Sequence, residues 1–184
     1  MKRLTSLIYH LTRAYWGYLS IKQTHKKDYD WLAPITLTIL LFLTVWWLNF
    51  EFSSLLIFVE KTSSFLAILP GFYIAALAAV ATFNKPSIDK KIPDNPIPYV
   101  YQRSQGTDVR TELSRRRLLT MLFAFLAAES LMLFLLTVIA GMMKDPAIFT
   151  AVSFLLVFFF LFFQLIVVTL WGLYYLSEKM HHND

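Results

Sequence analysis

Residues 122–136 read LFAFLAAESLMLFLL, an apolar stretch that contains one carboxylate, Glu129. This stretch lies inside a longer apolar run from Leu118 to Met142. A helix rises about 1.5 Å per residue, so about 20 residues cross the hydrocarbon core of a bilayer. The run therefore predicts a membrane-spanning helix with an acidic side chain near its middle.

The composition of the whole chain also indicates a membrane protein. Of its 184 residues, 57% are apolar and 17% are aromatic, which is far more than a soluble domain of this size carries. Continuous apolar runs, without the alternation of barrel strands, predict helices. The predicted fold class is all-α, a polytopic membrane protein with four transmembrane helices and an N-terminal amphipathic helix. The predicted spans are Trp31 to Phe50, Ser64 to Phe83, Leu118 to Met142 and Phe149 to Leu176.

Lysines and arginines are distributed unevenly along the chain, and this bias normally sets topology. Fifteen of the 17 lie in the first 30 residues, between spans two and three, or after span four, whereas Lys61 and Lys144 lie on the other side. We therefore expect both termini and the central loop in the cytoplasm. The predicted divisions are 1–30 (interfacial helix), 31–83 (spans one and two), 84–117 (basic arm), 118–176 (spans three and four) and 177–184 (tail).

The first 30 residues have apolar side chains at helical spacing among six cations. Such a helix can lie in the headgroup layer, where Trp16 and the neighbouring tyrosines are favourable. The alternative use of the same helix is as a partner-binding surface.

Small residues recur at every fourth position of span two, at Gly71, Ala75 and Ala79. Span three repeats the spacing at Ala124 and Ala128. Small side chains allow helix backbones to approach closely in lipid. The pattern predicts a tight helix contact, either within the chain or with another copy.

The arm between spans two and three contains four prolines, at positions 86, 93, 96 and 98, which exclude a long helix there. Its cations have two possible uses, which do not exclude each other: binding lipid phosphates at the membrane surface, or docking a cytosolic protein along an extended strip. The candidate residues for this contact are Lys90, Lys91, Tyr99, Tyr101, Arg103, Arg115, Arg116 and Arg117.

Glu129 has two readings. An acid at this depth is costly, so one expectation is a protonated side chain that bonds Gln164 or Ser130 and joins two helices. The other is a residue that lines a pore or senses protons. The spans themselves contain no second acid or base in this prediction, which argues against a proton relay.

The order of elements resembles that of the membrane subunits of the Kiwa anti-phage defence system, the KwaA family. The resemblance rests on LPGFYIAALAAVATFN (69–84), KPSIDKKIP (85–93) and SRRRLLTMLFAFLAAESL (114–131). It implies a bacterial inner-membrane protein, assembled as a homotetramer, that detects infection and works with a cytosolic, DNA-binding, KwaB-like partner. It implies no direct nucleic-acid binding by this chain.

Two functions are therefore expected as alternatives. The first is a non-enzymatic sensor that docks a cytosolic effector through the arm and termini. The second is an oligomeric pore-former or small transporter with Glu129 in the path. The chain has no cysteine and no phosphate-loop, zinc or nucleophile motif, so no catalytic residue, metal or cofactor is predicted.

Overall fold

The chain is an all-α polytopic membrane protein. Its computed structural model describes residues 15–24, 26–49, 51–84, 86–92, 97–104, 107–143 and 146–179. Within these ranges, four helices are long and apolar enough to cross a membrane. They are Asp28–Trp47, Ser63–Thr82, Arg115–Met142 and Ile148–Ser177.

The first described residues, 15–19, are helical and are named α1. The elements that follow are a π-helical segment (Asp28–Leu32), α2 (Ala33–Trp47), α3 (Phe52–Lys61), α4 (Ser63–Thr82), α5 (Pro86–Asp89), β1 (Tyr99–Ser104), β2 (Thr107–Glu112), α6 (Arg115–Met142) and α7 (Ile148–Lys179). Helix α6 begins three residues before the predicted span, because the Ser114 hydroxyl accepts a hydrogen bond from the Arg117 N–H and caps the first turn. Helix α3 was not predicted.

Helices α6 and α7 form the centre of the bundle. They are 28 and 32 residues long, about 42 and 48 Å at the helical rise. They run antiparallel and approach closely where Gly172 meets Leu122, since a Cβ on Gly172 would lie 2.9 Å from a Leu122 methyl group. The largest fully buried side chains lie mainly on these two helices, for example Phe125, Leu133 and Phe158.

Helices α2 and α4 cover different parts of this central pair. Helix α2 lies against α7, and its preceding π-helical segment begins near the middle of α7, because Gln164 bonds the backbone of Asp30. Helix α4 lies against α6 and ends beside its first turn, where Arg116 bonds the Val80 carbonyl. The two outer helices are therefore staggered along the bundle.

The segment 15–24 fills the space that this stagger leaves before α2. The rings of Tyr15 and Tyr18 each lie 4.8 Å from the ring of Phe125 on α6, and Tyr18 is buried. Trp16 is exposed. These two tyrosines thus pack on the bundle and do not face headgroups as expected. Residues 1–14 lie outside the described residues, so the amphipathic helix itself stays a prediction.

The basic arm contains a β-hairpin that is not predicted from the sequence. Strands β1 and β2 pair antiparallel, from Tyr99 with Glu112 to Ser104 with Thr107. Further backbone contacts join Lys91 to Ser114 and Lys22 to Tyr99. We call the end of the bundle that carries these strands the hairpin end.

Arg116 ties the hairpin end together. Its guanidinium donates to the carbonyls of Val80, Ala81 and Phe83 at 3.0, 3.1 and 2.8 Å, where the last turn of α4 leaves carbonyls without helical partners. It also forms a two-pronged contact with Asp89, at 2.6 and 3.0 Å, and these hydrogen bonds hold the pKa of Asp89 below its ordinary value. Arg116 is therefore a structural clamp between α4, α5 and α6, and its expected contact with lipid or a partner stays a prediction.

The contacts of Arg116 predict that its substitution by lysine lowers thermal stability more than the same substitution of the neighbouring Arg117. Arg116→Lys keeps the charge but replaces a planar five-donor group by a single ammonium, which cannot span three carbonyls and a carboxylate. We expect a lower thermal midpoint in mild detergent. Arg117→Lys is the matched control, because no contact of the Arg117 guanidinium with a described residue is present. Equal midpoints for the two variants would contradict the clamp.

The small-residue face of span two does not pack within the chain. Gly71, Ala75 and Ala79 are exposed, and a Cβ on Gly71 would meet no atom within 4 Å. The side chains that α4 buries recur every seven residues, at Leu66, Tyr73 and Val80, because these bulky groups fill the groove beside α6. Ala124 and Ala128 on α6 are half-buried. A tight contact through the Gly71 face is thus wrong within one chain and stays a prediction between copies.

Two leucine substitutions on α4 should separate assembly from folding. Ala75→Leu adds bulk to an exposed face, so we expect it to disturb only a contact between copies, seen as a smaller complex in size-exclusion chromatography. Ala76→Leu adds bulk against the core and should lower the stability of each subunit by about 1–3 kcal/mol. An Ala75→Leu complex of unchanged size would exclude this face as a subunit interface.

Candidate functional site: a buried charged cluster

Glu129 lies in the middle of α6 and is completely buried, with 0% of its surface exposed. It is seven residues from Leu122, and Gln164 is eight residues from Gly172 on the antiparallel helix, so the two side chains lie at similar depth. Neither carboxylate oxygen of Glu129 has a hydrogen-bond partner among the described residues. Burial without a partner favours the protonated form, because an ionised carboxylate is far costlier to bury.

The predicted hydrogen bonds of Glu129 to Gln164 or Ser130 are wrong. The Gln164 amide donates to the backbone carbonyl of Asp30 at 2.8 Å, and its own side-chain oxygen has no described partner. Ser130 donates to the Ala127 carbonyl of its own helix at 2.9 Å. Each donor therefore bonds a backbone carbonyl, a strong acceptor that must itself be satisfied in an apolar bundle.

Asp30 and Lys26 form a second charged group in the same interior. The Lys26 ammonium pairs with one carboxylate oxygen of Asp30, and the Tyr18 hydroxyl donates to the other at 3.0 Å. Asp30 is 2% and Lys26 8% exposed, and the ammonium also lies 3.9 Å from the centre of the Tyr18 ring. The expectation that Glu129 has no charged companion is therefore wrong, because Lys26 and Asp30 belong to the segment 1–30, which is predicted to lie outside the spans.

The surroundings of Asp30 and Glu129 keep neighbouring groups neutral or paired. Burial, with smaller contributions from Glu129 and Asp30, raises the pKa of Tyr15 to about 12, and burial beside Asp30 raises the pKa of Tyr18 well above its ordinary value. Burial lowers the pKa of Lys26, against the opposing effect of Asp30. Both phenols thus remain donors, and Lys26 depends on Asp30 for its charge.

We call Tyr15, Tyr18, Lys26, Asp30, Glu129 and Gln164 the buried cluster. A nearby hydrogen bond joins α4 to α7 beside it. Tyr73 and Thr169 lie 2.7 Å apart, and since the Thr169 hydroxyl donates to the Leu165 carbonyl, Tyr73 is the donor. The signal for this ion pair in the sequence was the spacing of Lys26 and Asp30, which are four residues apart. Tyr18 lies eight residues before Lys26.

The residues predicted to dock a partner have divided roles. Lys91 pairs with Glu112 at 2.5 Å, and the Arg110 guanidinium lies 4.0 Å from the centre of the Tyr99 ring. Tyr101 is 55% exposed. Lys90 is exposed, and its carbonyl accepts from the Arg115 N–H at 3.2 Å. Arg115 and Arg117 are half-exposed. The backbone of Arg103 lies opposite that of Asp108 in the register of the hairpin.

Comparisons with protein-family models, curated proteins and solved structures find no match to this chain. The likeness to Kiwa membrane subunits therefore stays a prediction, and function has to be inferred from geometry.

The two buried acids should respond differently to the same chemical change. Glu129→Gln replaces a protonated acid by a neutral amide of the same shape, so we expect stability within about 1 kcal/mol of wild type. Asp30→Asn removes the counter-charge of Lys26 and should cost about 3–5 kcal/mol, the range for a broken buried ion pair. Denaturant titration in detergent measures both.

A double variant tests whether the unpaired charge of Lys26 causes the loss of stability in Asp30→Asn. Lys26→Met added to Asp30→Asn removes the stranded charge and should restore most of the lost stability. A Glu129→Gln loss as large as that of Asp30→Asn would mean that Glu129 is ionised and paired.

Proposed function

We propose that this chain is a non-enzymatic membrane subunit that transmits the state of its buried cluster to a partner protein bound at the hairpin end. One observation carries the proposal: a short stretch of backbone joins the cluster to the hairpin. The Lys22 N–H donates to the Tyr99 carbonyl at 2.9 Å, and the Tyr99 N–H donates to the Lys22 carbonyl at 3.3 Å. Lys26, four residues after Lys22, pairs with Asp30.

This connection supplies a physical route between the two sites. If Lys26 leaves Asp30, its ammonium has to reach water, and the backbone at Lys22, four residues earlier, moves with it. Because Lys22 is bonded to the first residue of β1, the hairpin moves as well. A charge change in the bundle would thus bias the position of a surface element, as in other local electrostatic switches.

The hairpin carries groups that suit a protein partner. Tyr101 and Val109 are exposed large side chains, and the rings of Tyr99 and Tyr101 lie 5.4 Å apart beside Arg110. Tyrosine and arginine are enriched at protein interfaces, where they bury a large area at small entropic cost. The paired contacts of Tyr99 and Lys91 hold this surface in a fixed shape.

The position of the partner follows from the charge bias. We place the hairpin end in the cytoplasm, since most lysines and arginines lie in segments that join it. The resemblance to Kiwa subunits then suggests an inner-membrane homotetramer whose partner is a cytosolic, KwaB-like effector, and whose stimulus is phage infection. Glu129 supports this choice over a pore, because it is enclosed within one chain with 0% of its surface exposed.

The test uses a strain that carries this gene together with a gene for a soluble, KwaB-like protein. We expect the pair to lower phage plaque counts and the soluble product to co-purify with the membrane protein. Tyr101→Ser should reduce co-purification, because it removes an exposed aromatic contact. Lys26→Met with Asp30→Asn should retain the partner but lose protection, because the neutral pair cannot change state.

Lys61→Gln, at the opposite end of the bundle, is the control and should behave as wild type in both assays. Normal partner binding and protection in both test variants would overturn the proposed transmission. Unchanged plaque counts with the wild-type pair would overturn the anti-phage role.

A further inference from the structure

A cavity of about 300 Å³ lies at the hairpin end, between the segment 19–27 and the start of the first span. Lys22 and Lys27 line it, and both are exposed and form no ion pair with a described residue. Asp30 also lines it, but its two carboxylate oxygens already bond Lys26 and Tyr18. The cavity therefore has two uncompensated positive charges and suits an anion.

A separate groove of about 500 Å³ runs along the outside of the bundle between α2 and α7. Ile35, Ile39, Val157 and Phe160 line it, and it is apolar except for Thr38. The Thr38 hydroxyl donates to the Pro34 carbonyl at 2.7 Å, so it offers no free donor to an occupant. A hydrocarbon chain fits these walls, and a hydrated group does not.

Trp31 joins the cavity to the groove. It lines the cavity, and its ring lies 5.8 Å from the ring of Phe160, which lines the groove. Ile35 follows Trp31 by one helical turn on the same face of the helix. The two spaces thus lie end to end, with a charged end at the hairpin side and an apolar end toward the start of α7.

We propose that this site binds one anionic glycerophospholipid. Its phosphate-bearing headgroup occupies the cavity beside Lys22 and Lys27, and one acyl chain lies in the groove between α2 and α7. Each lysine near an anionic lipid headgroup attracts it electrostatically, which strengthens lipid binding roughly fivefold. Two lysines therefore select an anionic lipid over a zwitterionic one of the same chain length. The site goes beyond the proposed docking function and does not depend on it.

The test is a lipid titration of the intact protein in mild detergent, followed by native mass spectrometry. Phosphatidylglycerol and phosphatidylcholine with identical acyl chains are the two probes. We expect phosphatidylglycerol to bind at least roughly tenfold more tightly. Lys22→Gln with Lys27→Gln should remove this preference, and Lys61→Gln, at the opposite end, should preserve it. Both lysine side chains are exposed, so we expect the variant to fold, and its thermal midpoint checks this.

The groove is tested separately with Ile39→Trp, which fills it from an exposed position. This variant should weaken the binding of both lipids. Glycerol 3-phosphate, which lacks acyl chains, should not compete with phosphatidylglycerol for the site. Equal affinity for the two lipids would overturn the proposal. Competition by glycerol 3-phosphate, or an Ile39→Trp variant that binds both lipids normally, would also overturn it, because the ligand would then be a free phosphate compound.

Discussion

Lys26 and Asp30 fix the start of the first membrane helix, because each charge can stay in the apolar bundle only while the other faces it. Their pairing, completed by Tyr18, holds the segment 15–24 against α6. The π-helical segment that contains Asp30 also directs a backbone carbonyl toward Gln164 on α7. One ion pair thus positions α1, α2 and α7 relative to one another.

The hairpin end depends on a different kind of contact. Arg116 satisfies the carbonyls at the end of α4 with the same guanidinium that pairs with Asp89, so it replaces the water that would otherwise cap this helix. Strand β1 is held by the backbone hydrogen bonds between Tyr99 and Lys22, and a backbone pairing of Lys91 with Ser114 adjoins the end of β2. Their aromatic and basic surface can therefore be rigid although the strands lie outside the bundle, which is the property that a docking surface needs.

The length and continuity of apolar runs were enough to predict four membrane helices, because lipid leaves a spanning chain few alternatives. The interior position of Glu129 also followed from the sequence. Its charged neighbours did not, because Lys26 and Asp30 precede the predicted span, where charged side chains are expected to face water. The hairpin was not predicted, because the prediction for the arm rested on its four prolines, which exclude a long helix but do not indicate paired strands. In α4, Gly71 and Ala75 suggested a packing face, but Leu66 and Tyr73 fill the groove beside α6.

The stagger of α2 and α4 along the central pair has a mechanical consequence. The apolar belt of this subunit does not form a level ring, because its first span begins near the middle of α7 whereas α4 ends beside the first turn of α6. A bilayer of uniform thickness can match both helices only if the subunit tilts or the lipid deforms locally. Either adjustment makes the orientation of the subunit depend on the thickness of the bilayer around it.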